Sequence, residues 1–407
     1  MNFDLQTLDK AVSTLYRNGS QIQEQRDQAM NYLNSFSNSP NGWRLSLDFF
    51  FQPIHAELKF YFLTVFQDLV QHRFMALSVD ERKYFYSRLL VWIPLYDSQL
   101  EGRLIAKKFA QVMALVFNSE YLDSWTTFFH DLLGILDRCL VDQREKVIEI
   151  LLRIFEAIDE TVINSEFNRS SQDAAHATAI KDAMRVESVA KMAKFWFDIL
   201  GNYNASNALL CQLSLLNIQK YVGWIDINLV ANQFFLPLIF HLINNKDLKT
   251  DACGVLEQVI SKGMPSESKL QLLSQLRLQD LISQANQGTV SEEDEFQRAL
   301  AKLTNVLGVE AITCRTDCVR GRAAPEILAT ADLIVQDAVT LGLKFLGSEW
   351  DDLSESVLQF LGSYLHHVKH NKNGNEKTVE NMKQLLQIIR FKLQYTEEYN
   401  FEQPGDE

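Results

Sequence analysis

The stretch from Leu104 to Leu136, LIAKKFAQVMALVFNSEYLDSWTTFFHDLLGIL, most narrows what this chain can fold into. Ile105, Phe109, Val112 and Val116 recur at spacings of four, three and four, and Leu122, Trp125, Phe129, Leu132 and Leu136 alternate three and four. Each set lies on one side of a 3.6-residue helix. Asn118-Ser119-Glu120 interrupts the pattern, and a turn that short favours two helices packed antiparallel. Met113, Leu115, Phe128 and Leu133 fall outside the main rows. One pair cannot bury them alone; a similar pair on each side must cover them, which is the physical reason helical-repeat solenoids exist.

Composition agrees. At 407 residues the chain is too long for one core, and no boundary is obvious. Apolar residues make up 47%, while Gly (16) and Pro (7) are too scarce for a fold of many tight turns. No apolar run reaches the roughly 20 residues of a membrane span. The start, MNFDLQTLDK, carries acidic residues and does not read as a secretory signal. Cys139, Cys211, Cys253, Cys314 and Cys318 suit a reducing compartment, most simply as free thiols. A net charge of −13 weighs against indiscriminate nucleic-acid binding and suits a basic protein partner, yet allows a basic stripe on one face.

The periodicity predicts helices over 4–16, 21–36, 43–51, 54–74, 79–93, 144–162, 206–225, 228–243, 248–262, 267–285, 326–347, 352–370 and 376–395, and one or two over 173–200. Ser78-Val79-Asp80-Glu81 has the form of a capping box. Pro40 is placed just inside the helix that follows it, and Pro237 is expected to kink its helix. Residues 308–325 read as the least regular region, and no strand pattern is present.

Catalytic motifs for phosphate loops, serine hydrolases and zinc proteases are absent, so the chain does not read as an enzyme and no cofactor is implied. Cys314 and Cys318 lack the second ligand pair of a zinc site. His366 and His370 sit four apart without a third ligand and read as a solvated helix face. Glu292, Glu293, Asp294 and Glu295 suit either a solvated cap or a contact for a basic partner. Trp43, Trp92, Trp125, Trp196, Trp224 and Trp350 read mainly as core filler rather than base-stacking platforms.

Several stretches resemble one family. RDQAMNYLNSFSNSPNGW is similar to the opening helix pair of importin-β-type transport receptors (karyopherins). IAKKFAQVMALVFNSEYLDSWTTFFHDLL, LLRIFEAIDETVINSEF, AIKDAMR, YVGWIDINLVAN, DACGVLEQVISKGM and KLQYTEEYNFEQPGDE resemble, in order, segments of the tRNA-exportin (exportin-T) family. The resemblance implies an all-α, HEAT-like right-handed solenoid running through 1–407, with a Ran-binding region over 1–140 and exportin-type repeats over 141–407. Family chains continue past the YNFE segment, so less than half a receptor is expected, without its C-terminal arch. The implied function is nuclear export of tRNA with Ran-GTP, past the nucleoporins of the pore, by a monomer that shuttles between nucleus and cytoplasm without membrane insertion. A karyopherin for protein cargo and a HEAT scaffold with no transport role are the alternatives. By the same resemblance, Ran contacts would come from the inner helices over 79–93, 122–136 and 181–185: Arg82, Lys83, Arg88, Lys181, Asp182 and Arg185. Lys107 and Lys108 would touch tRNA or Ran, or lie along a neighbouring helix. An ordinary solvated face is the plain alternative for each.

Overall fold

Helix ends in this chain are set by local chemistry that the sequence displays. The Ser78 hydroxyl accepts the Glu81 backbone N–H at 3.3 Å, and the Glu81 carboxylate accepts the Ser78 backbone N–H at 3.0 Å. That reciprocal box starts a helix at Val79, and Pro94 closes it in a short 3₁₀ turn, Ile93–Leu95. The computed structural model describes residues 3–16, 23–97, 99–163, 170–276, 295–370 and 376–394. They are helical with connecting turns, with no strand among the described residues. They fall into two compact units, Met1–Tyr221 and Val222–Glu407; the expected division at 140 lies inside the first.

The first unit holds α1 (Leu5–Tyr16), α2 (Gln23–Ser37), α3 (Gly42–Phe50), α4 (Ala56–His72), α5 (Val79–Trp92), α6 (Gly102–Glu120), α7 (Phe128–Leu133), α8 (Arg144–Ile158), α9 (Ser171–Glu187) and α10 (Val189–Tyr203), and α11 (Ala208–Val222) runs to its edge. Alternate helices stack: α4 on α6, and α6 on α8. Asn217 and Tyr221 of α11 extend the row by donating to the Leu152 and Phe155 carbonyls of α8 at 3.1 and 2.8 Å. Trp92 joins elements across the row, its ring 5.4 Å from Phe50 of α3 and 4.4 Å from Phe109 of α6.

The second unit holds α12 (Phe235–Leu242), α13 (Lys249–Ser261), α14 (Ser266–Gln275), α15 (Glu295–Arg320), α16 (Pro325–Leu346), α17 (Asp351–Ser356), α18 (Leu358–His370) and α19 (Glu376–Lys392). Two rows run through it, α13–α15–α18 and α14–α16–α19. First helices stack on first helices and second on second, the HEAT-like arrangement that the unburied rows of single pairs demand.

Several expectations are corrected. The second helix of the Leu104–Leu136 pair spans only Phe128–Leu133, because the Glu120 carbonyl collects the N–H groups of Asp123, Ser124 and Trp125 and holds 121–127 in turns. Helix α6 itself runs through Asn118 and Ser119 to Glu120. Pro40 stands two residues ahead of α3 rather than inside it. Pro237 kinks nothing: its helix begins at Phe235, so the missing N–H falls among first-turn donors that have no intrahelical partner anyway. Of the two forms left open for 173–200 the structure takes the two-helix one, broken at Ser188, whereas the single helix expected over 352–370 is two, broken at Val357. Most of the second half of the helix expected over 267–285 lies outside the described residues.

The largest correction is at 308–325. Glu295–Arg320 is one 26-residue helix. Gly308 is not a break but a point of close approach, where an added Cβ would overlap the Phe360 ring; a Cβ at Gly342 of α16 would stand 3.1 Å from that ring. Thr304, Thr313 and Thr316 return their hydroxyls to carbonyls one turn back, so their polarity does not interrupt the helix. Arg322, at φ 57, ends the turn before Pro325 opens α16. Gly308→Ala should destabilise the chain by about 1–3 kcal/mol through overpacking. Gly362→Ala, with nothing within 4 Å of the new Cβ, should be neutral or stabilising by up to about 1 kcal/mol. Denaturant unfolding of the two variants checks the contrast.

Candidate partner-binding face

Helix α5 carries three of the sequence-predicted contacts, and the fold uses them differently. Arg82 is buried: its Nε lies 2.8 Å from a Glu120 carboxylate oxygen on α6, and one terminal nitrogen donates to the Leu77 carbonyl at 3.1 Å. Arg82, expected as a Ran contact with a solvated face as the plain alternative, is not solvated: the spacing that buries Phe85 and Leu89 also turns residue 82 inward, against Glu120. Lys83 is exposed, as is Tyr84 beside it. Arg88 is half-buried, its guanidinium 4.1 Å from the centre of the Phe51 ring. At the head of the same helix, Ser78 and Arg44 hold the Glu81 carboxyl well below its usual range, at about 2, and Arg44 pairs with it at 2.8 Å.

On α6, Lys107 is exposed. Lys108 leans on α4 instead, its ammonium bonded to the Gln67 amide oxygen and 5.5 Å from the Phe60 ring; burial lowers its pKa. Lys108 thus takes the third course set out for it, lying along a neighbouring helix.

From α5 the contacts lead to a groove. Tyr86 stacks flat on Trp125, with centroids 4.0 Å apart and planes at 10°. The Trp125 indole donates to Asp131 at 2.8 Å, and Thr127 donates to the same carboxylate at 2.7 Å, fixing the 121–127 turns over α7. Tyr121 meets Ser188, at the α9–α10 break, at 3.2 Å. Between these turns and 183–191 lies a groove of about 580 Å³ lined by His130, Val186, Glu187 and Lys191 among others. A second, of about 370 Å³, shares His130 and Lys191 and extends to Arg144 and Tyr203. Lys181, Asp182 and Arg185 stand on α9 just before this groove; Arg185 pairs with Asp182 at 2.6 Å, and both are well exposed. The fold therefore brings 181–185 to the neighbourhood of 122–136, while Lys107 and Lys108 diverge. Sequence reading missed His130, Val186 and Lys191; the one available signal was Val186, a valine at a helix break that proves 83% exposed.

Elsewhere, Cys314 and Cys318 are free thiols buried on α15, with pKa values raised by burial. The His366 and His370 rings lie 4.2 Å apart on the exposed face of α18. No group of three or more metal-ligating side chains occurs among the described residues. Trp43, Trp92, Trp125 and Trp196 are core. Glu292, Glu293 and Asp294 lie outside the described residues, and Glu295 opens α15.

Two outcomes test this geometry. Glu120→Ala should cost about 3–5 kcal/mol by leaving Arg82 buried without its partner, whereas replacing both with apolar side chains, Arg82→Met with Glu120→Leu, should cost far less, as denaturant unfolding would report. Carboxyl NMR of Glu81 should show its titration near 2. The depressed value means Glu81 favours the fold above its unfolded pKa and loses that contribution as pH falls through 2; Ser78→Ala should move the midpoint up toward the ordinary carboxylate range.

Comparison with known proteins bears on this face. Residues 102–256 match the family model "Exportin 1-like protein". The chain is 31% identical to Dictyostelium discoideum exportin-T over 373 residues, covering 91% of this chain and 33% of the relative. It is 29% identical to human exportin-T over 390 residues, covering 94% of this chain and 40% of the relative. It is 26% identical to Arabidopsis thaliana exportin-T over 411 residues, with 96% and 40% covered. The chain thus spans between a third and two-fifths of the length of these relatives. Ordered similarity over nearly all of its length, on a HEAT-like all-α frame, makes the chain similar throughout to exportin-T proteins, with residues 102–256 matching the exportin 1-like model.

Proposed function

We propose that this chain is a nuclear export receptor for tRNA that binds Ran-GTP and tRNA together, passes the nucleoporins of the pore, and shuttles between nucleus and cytoplasm. The observation that carries the reading is similarity to exportin-T proteins of amoeba, animal and plant over 91–96% of this chain. The name of those relatives supplies the cargo class, and the resemblance of the first helix pairs to importin-β-type receptors supplies Ran.

The geometry is compatible with the following contact set. Lys83 and Arg88 on α5 and Lys181, Asp182 and Arg185 on α9 flank the connected surface that runs from Tyr86 through Trp125 to the groove at His130 and Lys191. Arg82 supports this surface from beneath through Glu120 rather than touching a partner. Lys107, exposed on α6, is assigned to tRNA or Ran, and Lys108 to neither.

Binding measured against Ran-GTP and Ran-GDP tests the reading. The GTP form should bind and the GDP form should not. Lys83→Glu with Arg88→Glu should weaken the GTP complex by roughly tenfold, a change of about 1.4 kcal/mol. Equal binding of both nucleotide states, or none, removes Ran and leaves the scaffold alternative. A tRNA titration with Ran-GTP present then separates cargo classes: binding that weakens linearly in log salt supports tRNA, and Ran binding without it assigns protein cargo.

A further inference from the structure

Helix α18 meets its neighbour α15 along a seam rich in histidine. Ser363, His366, His367 and His370 line a groove of about 910 Å³ together with Thr316 and Asp317 of α15. One turn or less separates each of the four from the next, so they share a side of α18. The two helices are fixed against each other just upstream. The Phe360 ring fills the space beside Gly308, and the Phe360 backbone N–H donates to the Asn305 side-chain oxygen at 2.8 Å. The seam therefore stands on packed helices rather than on a loop.

His366 and His370 are both exposed, with ring centres 4.2 Å apart and planes inclined at 38°. Two metal–nitrogen bonds of about 2.0–2.1 Å span a comparable gap. Histidines four apart on one helix face are also a spacing at which two imidazoles share a zinc ion. The His370 ring is already oriented for this role. Its Nδ1 lies 2.8 Å from the His366 backbone carbonyl. A carbonyl oxygen only accepts, so Nδ1 carries the proton and Nε2 of the neutral ring keeps its lone pair. A backbone carbonyl on the other ring nitrogen is the support that fixes tautomer and orientation in histidine metal ligands. The arginines of the groove are balanced by carboxylates: Arg315 pairs with Asp332, and Arg320 lies 3.7 Å from Asp317.

We propose that His366 and His370 form a two-nitrogen site for a borderline divalent transition-metal ion, of the class of Zn²⁺, Ni²⁺ and Cu²⁺. Imidazole nitrogen suits these ions, whereas Mg²⁺ and Ca²⁺ take oxygen ligands. No third metal-ligating side chain joins the pair among the described residues. The site is thus of the open kind, and water or a ligand entering the groove completes the coordination shell. A bound ion ties together the last turn of α18. The proposal rests on the histidine pair and is independent of Ran and tRNA binding.

Titration calorimetry of the full chain with NiCl₂ and with ZnCl₂ tests the site. Each ion should saturate it, and neither MgCl₂ nor CaCl₂ should compete. His366→Ala and His370→Ala should each weaken Ni²⁺ binding by roughly tenfold or more, at about 1.4 kcal/mol per tenfold. The melting temperature without metal should stay the same in both variants, because both rings are exposed. His367→Ala, which removes the third histidine of the groove, should leave binding intact. With CuCl₂, electron paramagnetic resonance should show coupling to two nitrogens, reduced to one in either single variant. Ni²⁺ should slow hydrogen exchange over Leu358–His370 in the parent chain and not in the variant lacking both histidines. Absence of saturable binding overturns the proposal. So does binding that survives the loss of both histidines, or binding that His367→Ala alone removes.

Discussion

The fold depends on helices whose apolar surface is wider than one neighbour can cover. Helix α8 is the clearest case: 11 of its 15 residues are buried, Glu149 and Arg153 among them. Those two satisfy each other within the helix, with Arg153 donating to one Glu149 oxygen at 2.9 and 2.7 Å. Tyr96 beside them has its hydroxyl pKa pushed up to about 12, first by burial and then by the Glu149 charge. A helix so enclosed forms only where others stand on several sides, and alternate-helix stacking provides them. Hydrophobic burial supplies the driving force and chain connectivity the order.

Apolar contact alone would let stacked helices slide, and polar anchors hold the register. Tyr61 donates to the Leu33 carbonyl at 2.8 Å, Asn217 to Leu152 and Tyr221 to Phe155. Each bond is worth about 1 kcal/mol net, but a slip would strand a buried donor at higher cost. The Arg82–Glu120 pair acts the same way between α5 and α6. In the second unit the device is steric: the Phe360 ring sits against Gly308 and Gly342, so α15, α16 and α18 fit in one arrangement.

The grooves of the candidate face arise where regularity fails. Had α7 run the full length its pattern suggests, its side chains would fill the space now open between 121–136 and 183–203. Three N–H groups converging on the Glu120 carbonyl cut it short. His130 and Lys191 then line both grooves, beside the exposed Val186. Both grooves therefore owe their shape to a local turn geometry.

Sequence alone determined the all-α class, the pairing of helices, the Ser78 cap and most helix limits, because apolar spacing and capping chemistry are local and leave direct marks in residue order. The ordered family segments were legible for the same reason. Only the tertiary structure decided that Arg82 is a buried partner of Glu120, that Lys108 belongs to α4, that Val186, His130 and Lys191 share a groove, and that 308–325 begins as helix. Those outcomes turn on residues distant in the chain: a glycine reads as a break until the ring that needs its missing Cβ is in place, and a charged side chain reads as solvated until its counter-charge arrives from another helix.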